Sequence, residues 1–194
     1  KGTGIFEMHA LGRAAHAGLE PEKGASAILE LARQTEKLHA MNDAASGISV
    51  NVGVIEGGTR SNVVAAHARA EIDLRFSKAE EGRRLEDEIL NAQSFDGRVR
   101  LDVSGGVNRP PLERNEKVLA LYNYAREIAA RLDFELGEAQ VGGASDGNFI
   151  AALGVPVLDG LGIDGDGAHA EHEHILSDAL ARRGALIAGL IASL

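Results

Sequence analysis

The segment GDGAHAEHEHI, Gly165–Ile175, carries three histidines and three carboxylates. Imidazole nitrogens and carboxylate oxygens are the donors left for zinc in a chain without cysteine. A catalytic zinc takes three protein ligands and an open position, with donors at about 2.0–2.2 Å. His169, His172 and His174 alternate with Glu171 and Glu173 instead of recurring on one helical face, and adjacent loop residues rarely converge on one ion. At most one or two of them are expected to share a metal. His169, near Gly165 and Gly167 and ahead of a helix, is the candidate, because small residues let backbone approach a cleft. His172 and His174 read as solvated side chains of an acidic loop. Upstream, GGASDG (residues 142–147) sets Ser145 beside Asp146. With no positioned base, the pair reads as the N-cap of a short helix through Phe149 and not as a nucleophile.

The elements that must position these groups follow from periodicity. Gly4–Leu11 alternates as a half-buried strand. A helix is expected over Ala25–Met41, with Ile28, Leu31, Ala32 and Leu38 inward and Glu30, Arg33, Gln34 and Lys37 on a polar face. Ile48, Val50, Val52 and Val54 alternate before the turn at Glu56–Thr59, and Ala70, Ile72, Leu74 and Phe76 alternate after it, as two antiparallel strands. A helix over Ala79–Ala92 and a strand with Val99, Leu101 and Val103 on one face complete the order β-α-β-β-α-β. This is the ferredoxin-like arrangement of an antiparallel sheet with both helices on one face. Its open edge and apolar helix stripes suit pairing with a second copy.

Prolines 110 and 111 after Gly105 and Gly106 place a domain boundary near residue 107, giving domains at 1–107 and 108–194. The second part is expected to hold a long helix over Glu113–Leu132, with Val118, Leu121, Tyr122, Ala125, Ile128 and Leu132 buried. A short helix, a strand at Val155–Leu158 and a helix from Ser177 or Asp178 to Leu194 follow. This is α/β in character but too small for a complete sheet.

Composition narrows the function. The 194 residues, 44% of them hydrophobic, suffice for one large domain or two small ones. A formal charge of −9 and a pI near 5.3 argue against nucleic acid as a partner, which requires a basic face. Ala185–Leu194 is too short to span a bilayer and reads as a buried terminal helix, so no membrane partner is expected. No signal peptide is visible and a cytoplasmic location is expected, while the opening KGTGIFEMHALG reads as the middle of a longer gene product.

GRAAHAG, EGGTRSNVV, AEIDLRF, GGASDGNF and GDGAHAEHEHI, in this order and at these separations, resemble the di-zinc amidohydrolase and peptidase superfamily of carboxypeptidase G, acetylornithine deacetylase, succinyl-diaminopimelate desuccinylase and aminoacylase. The carboxypeptidase G-like branch is nearest. The resemblance spans essentially the whole chain. It implies a dimerisation, or lid, domain followed by the C-terminal part of an α/β zinc-peptidase catalytic domain, in a homodimer formed through the lid.

The resemblance also implies roles. His16 corresponds to the lid histidine that reaches the partner's active site and binds the developing oxyanion. Asn62, Arg75 and Arg109 correspond to binders of the substrate's carboxylate end, a task suited to a guanidinium fork. Gly142, Gly143 and Ser145 belong to the loop lining the substrate pocket, and His169 matches the C-terminal zinc ligand. The implied reaction is hydrolysis of an amide bond adjacent to a free carboxylate, in a peptide or small N-acyl amino acid. It would use two zincs per intact site, with cobalt or manganese as substitutes.

Each residue also has a plainer reading. His16 could cap the next helix, Asn62 belong to a turn, Arg75 lie on the wet face of a strand and Arg109 sit in an extended linker. The superfamily's remaining ligands and its glutamate base precede the lid, and no His-x-Asp motif occurs here. The chain alone is therefore expected to be inactive. A non-catalytic dimerisation or binding module and a local metal loop of His169, His172 and His174 are the alternatives.

Overall fold

The computed structural model describes residues 1–193, which form two compact units. The first comprises Lys1–Leu112 with Gly142–Ala144, and the second Glu113–Val141 with Ser145 onward.

The first unit runs β1 (Gly2–Leu11), α1 (Ala27–His39), β2 (Ser49–Gly57), β3 (His67–Phe76), α2 (Ala79–Leu90) and β4 (Arg100–Arg109), with a 3-10 turn at Pro21–Lys23. Its sheet is antiparallel in the order β2-β3-β1-β4. This is the expected α+β arrangement. Phe6, Met8 and Ala10 of β1 and Ile72, Leu74 and Phe76 of β3 alternate into a core shared with Leu31 and Leu38 of α1 and Leu85 and Ile89 of α2. The sheet's opposite face carries Glu7, Arg69, Glu71, Asp73 and Arg75, linked in ion pairs.

Three expectations are corrected. On α1 the buried stripe is Ala27, Glu30, Leu31, Gln34 and Leu38, whereas Ile28 is 44% exposed. Glu30 and Gln34 are drawn inside by the loop between α2 and β4. The Glu30 carboxylate accepts from Phe95 N at 2.9 and 3.1 Å, from Asp96 N at 3.1 Å and from Gln34 Nε2 at 2.9 Å. Gln34 Nε2 also donates to the Gln93 carbonyl. The loop has no backbone partner for these amides, so a helix side chain supplies the acceptors that burial demands.

On β2 the alternation ends at a bulge. Val52 faces Ile72 but Val54 faces Glu71, leaving Gly53 as the extra residue. Val54 thereby shifts to the ion-paired face and Ile55, opposite Ala70, to the helix-bearing face.

Finally, β4 continues through Arg109, past residue 107, with Gly105 and Gly106 inside it. Gly105 sits at φ 118°, and a Cβ there would collide with the Ile5 carbonyl. Glycine here lets two strands approach and does not end the sheet.

The second unit contains α3 (Glu116–Arg131), α4 (Gly147–Ala152), the two-residue strands β5 (Gly165–Asp166) and β6 (His174–Ile175), and α5 (Ala179–Ser193). Ala125, Ile128 and Ala129 of α3 pack with Leu136 and with Leu186 and Leu190 of α5. Leu132, expected in the buried stripe, is exposed as the C-terminal cap of α3. The strand expected at Val155–Leu158 does not form: no described strand lies beside it, and an unpaired strand cannot satisfy its backbone. No helix among the described residues is long and apolar enough to cross a membrane.

Candidate functional site

His16 lies in a loop stitched to a second loop by backbone hydrogen bonds. Gly12 N donates to Ala66 O at 2.7 Å, Val64 N to Ala15 O at 2.9 Å, and Ala17 N to Asn62 O at 2.9 Å. His16 and Val63 form an isolated antiparallel bridge. Two motifs 46 positions apart, at His16 and Asn62, thus meet in one seam. The His16 carbonyl accepts from Leu19 N and Glu20 N, which ties the turn behind the ring. Gly18 N donates to His16 Nδ1 at 3.2 Å. With Nδ1 accepting, the neutral ring carries its proton on Nε2, and the exposed imidazole presents a donor.

Arg75 projects from β3, where Asp73 takes both arms of its guanidinium at 2.7 Å. Hydrogen bonding to Asp73 holds Arg75 above its ordinary pKa, against the opposing effect of partial burial. The fork therefore already holds a carboxylate, a pairing legible in the sequence because residues i and i+2 share a strand face. Arg109 ends β4 opposite Thr3, in a paired strand and not in a linker.

Gly142 and Gly143 have no heavy atom within 4 Å of a built Cβ, and Gly143 O accepts from the Lys1 amino group at 3.0 Å. Ser145 Oγ accepts from Gly147 N at 3.2 Å and donates toward the buried Asn148 Oδ1 at 3.4 Å. Asn148 Oδ1 also takes Ser145 N at 2.9 Å. The hydroxyl opens α4 and faces an amide oxygen, not a general base. Asp146 occupies the N-cap position without a side-chain cap bond.

His169 sits in the β5–β6 hairpin at φ 66°, a left-handed conformation, two residues after Gly167 at φ 76°. Its N–H donates to Glu173 Oε2 at 3.2 Å. The hairpin base is held by Leu176 N on Asp164 O at 2.8 Å. The Asp164 carboxylate pairs with Arg183 and, at 3.1 Å, with Arg182 of α5. Those two contacts, Arg183 first, hold its carboxyl below the usual range. His174 Nδ1 lies 3.0 Å from the His172 carbonyl. Among the described residues no three His, Asp or Glu side chains converge as a metal site. The residues present therefore do not fit a complete zinc centre, whether dinuclear or local to this loop.

Sequence reasoning missed Asp73 and Asp164 as partners, and it missed Asn42 and His39. The latter two bond the outer edge of β2: Asn42 Nδ2 donates to Val50 O at 3.0 Å, Val50 N to Asn42 Oδ1 at 2.9 Å, and Val52 N to His39 Nε2 at 3.3 Å.

Residues 1–94 match the family model described as a peptidase dimerisation domain. The whole chain is 28% identical to carboxypeptidase G2 of Pseudomonas sp. (strain RS-16), covering 48% of that protein. A stretch of 95 residues, 48% of this chain, is 45% identical to one subunit of the p-aminobenzoyl-glutamate hydrolase of Escherichia coli (strain K12), covering 20% of it. The fold superimposes on the crystal structure of aminopeptidase PepT from Bacillus cereus ATCC 10987 with a TM-score of 0.79 and 27% identity, covering 97% of this chain and 51% of that one. The chain thus spans about half the length of the carboxypeptidase and the aminopeptidase it matches.

Proposed function

We propose, from the match of residues 1–94 to the M20 peptidase dimerisation domain, that the chain is the dimerising, substrate-covering part of a metallopeptidase or amidohydrolase. The reaction is hydrolysis of an amide bond next to a free carboxylate, on a small N-acyl amino acid or peptide. The relative named as a p-aminobenzoyl-glutamate hydrolase supports that substrate class.

The observation that carries this reading is the seam joining the His16 and Asn62 loops, with Nδ1 of His16 engaged by Gly18. That arrangement leaves Nε2–H to meet an oxyanion as it develops on the scissile carbonyl. Asn62 and Arg109 take the substrate carboxylate, and Arg75 joins them in competition with Asp73. Gly142, Gly143 and Ser145 line the pocket. His169 contributes a single imidazole donor to a zinc site whose other ligands come from outside this chain, so the chain alone is inactive and no step is assigned to a metal on it.

The test is hydrolysis of p-aminobenzoyl-glutamate by the gene product that carries this chain. His16→Ala is expected to lower kcat by roughly a hundredfold to a thousandfold with little change in KM, as loss of one oxyanion donor does. An unchanged kcat would remove His16 from the chemistry.

A further inference from the structure

The loop that carries His16 runs from the end of β1 at Leu11 to Ser26, the N-cap of α1, and its two limbs are held by different parts of the unit. The outgoing limb, through Ala17, lies in the seam with residues 62–66. The return limb is a run of consecutive turns. Leu19 N and Glu20 N donate to His16 O, Lys23 N to Glu20 O at 3.1 Å, and Gly24 N to Pro21 O at 3.0 Å. A shift of the turn at Pro21–Lys23 is passed along these bonds to the backbone of His16.

Arg98, in the loop between α2 and β4, holds that turn from 76 positions away: its Nη1 donates to the Glu22 carbonyl at 3.2 Å. The side chain is aimed by a frame built on α1. Asp96 takes Arg98 Nε at 3.0 Å and Nη2 at 2.7 Å, and Arg98 N also donates to Asp96 Oδ1 at 3.0 Å. The amides of Phe95 and Asp96 are fixed in turn on the buried Glu30 carboxylate of α1. With two donors on one carboxylate, the planar guanidinium has little freedom left, and Nη1 is directed at the turn. Arg13 adds a second grip, its Nε donating to the Lys23 carbonyl.

As a surface ion pair alone, Arg98 and Asp96 would matter little, because the Arg98 side chain is half exposed and such pairs contribute marginally to stability. What the pair adds is placement. The bonds run from a buried helix carboxylate to the turn behind the imidazole, and a misplacement of about 1 Å at a reacting group can cost roughly a hundredfold in rate.

We propose that Arg98, held by Asp96, is a positioning residue that fixes the return limb of the His16 loop and so sets where the Nε2 donor of His16 meets the substrate. The proposal rests on the oxyanion role given to His16 above and adds a residue that acts only through it.

Two measurements test it. In this chain, Arg98→Ala is expected to speed amide hydrogen exchange at Leu19, Glu20 and Gly24 by roughly tenfold, while core amides such as that of Leu74 keep their rates. Loop rates equal to those of the parent would overturn the anchor. In the gene product that carries the chain, with p-aminobenzoyl-glutamate as substrate, Arg98→Ala is expected to lower kcat about tenfold and to change KM less than about twofold. Added to His16→Ala, it should lower kcat no further; losses that multiply would overturn the positioning role. Asp96→Asn, which frees the guanidinium, should move both readouts in the same direction, and unchanged values would refute the part given to Asp96. An unchanged kcat in His16→Ala would overturn the His16 reading and this proposal with it. A normal His16→Ala loss beside an unaffected Arg98→Ala would overturn this proposal alone.

Discussion

Glu30 is a carboxylate 2% exposed on a helix face that alternation assigns to solvent. Hydropathy ranks a glutamate by its own polarity, but three backbone N–H contacts from residues 65 and 66 positions away decide its place. No local pattern carries that information. Glu30→Ala is expected to cost roughly 1–3 kcal/mol by stranding the amides of Phe95 and Asp96, and Glu30→Gln less, as read by urea unfolding. Asp96 makes a second residue-scale test. The Arg98 side chain, followed by the Arg98 backbone N–H, lowers its pKa to about 2. A depressed folded-state value means that its contribution to stability is complete above the unfolded carboxyl pKa of about 3.9 and is lost as pH falls through about 2. Carboxyl chemical shifts followed from pH 5 downward should show Asp96 titrating after most other aspartates, and Arg98→Ala should move it upward.

Elements with strict alternation or a strong apolar stripe were legible: β1, β3 and α2 lie where periodicity puts them. The misreadings fall at glycines and at missing partners. Gly53 reads like any small residue in an alternating run, yet it is the bulge that exchanges Val54 for Ile55. Gly105 and Gly106 read as a break, but Gly105 permits close strand approach and Gly106 leaves room for the Glu86 carboxylate. Val155–Leu158 reads as a strand and finds no neighbour. Helix ends can be tested singly. Ser26 Oγ accepts from Leu29 N at 3.2 Å and Asn115 Oδ1 from Val118 N at 3.0 Å, so each is a working N-cap. Ser26→Ala and Asn115→Ala should each cost about 1 kcal/mol. Leu31→Ala, in the core between α1 and the sheet, should cost roughly 2–5 kcal/mol. Thermal unfolding of the three variants orders them.

At the scale of the molecule, the first unit has a closed core and a paired four-stranded sheet. Among the described residues the second has two long helices, one short helix and two two-residue strands. Leu153, Val155, Leu180 and Ile191 of that second unit are exposed apolar side chains. The candidate site was legible as motifs but not as geometry. The meeting of His16 with Asn62 and the left-handed turn at His169 are products of the fold, whereas the pairing of Arg75 with Asp73 follows from their i, i+2 spacing on one strand. The central claim is that this chain brings a dimerising surface and one metal donor, not a metal centre. Zinc content measured by elemental analysis on the intact 20.3 kDa chain after dialysis tests it most directly. The account predicts no tightly held zinc, and one zinc retained per chain would contradict it.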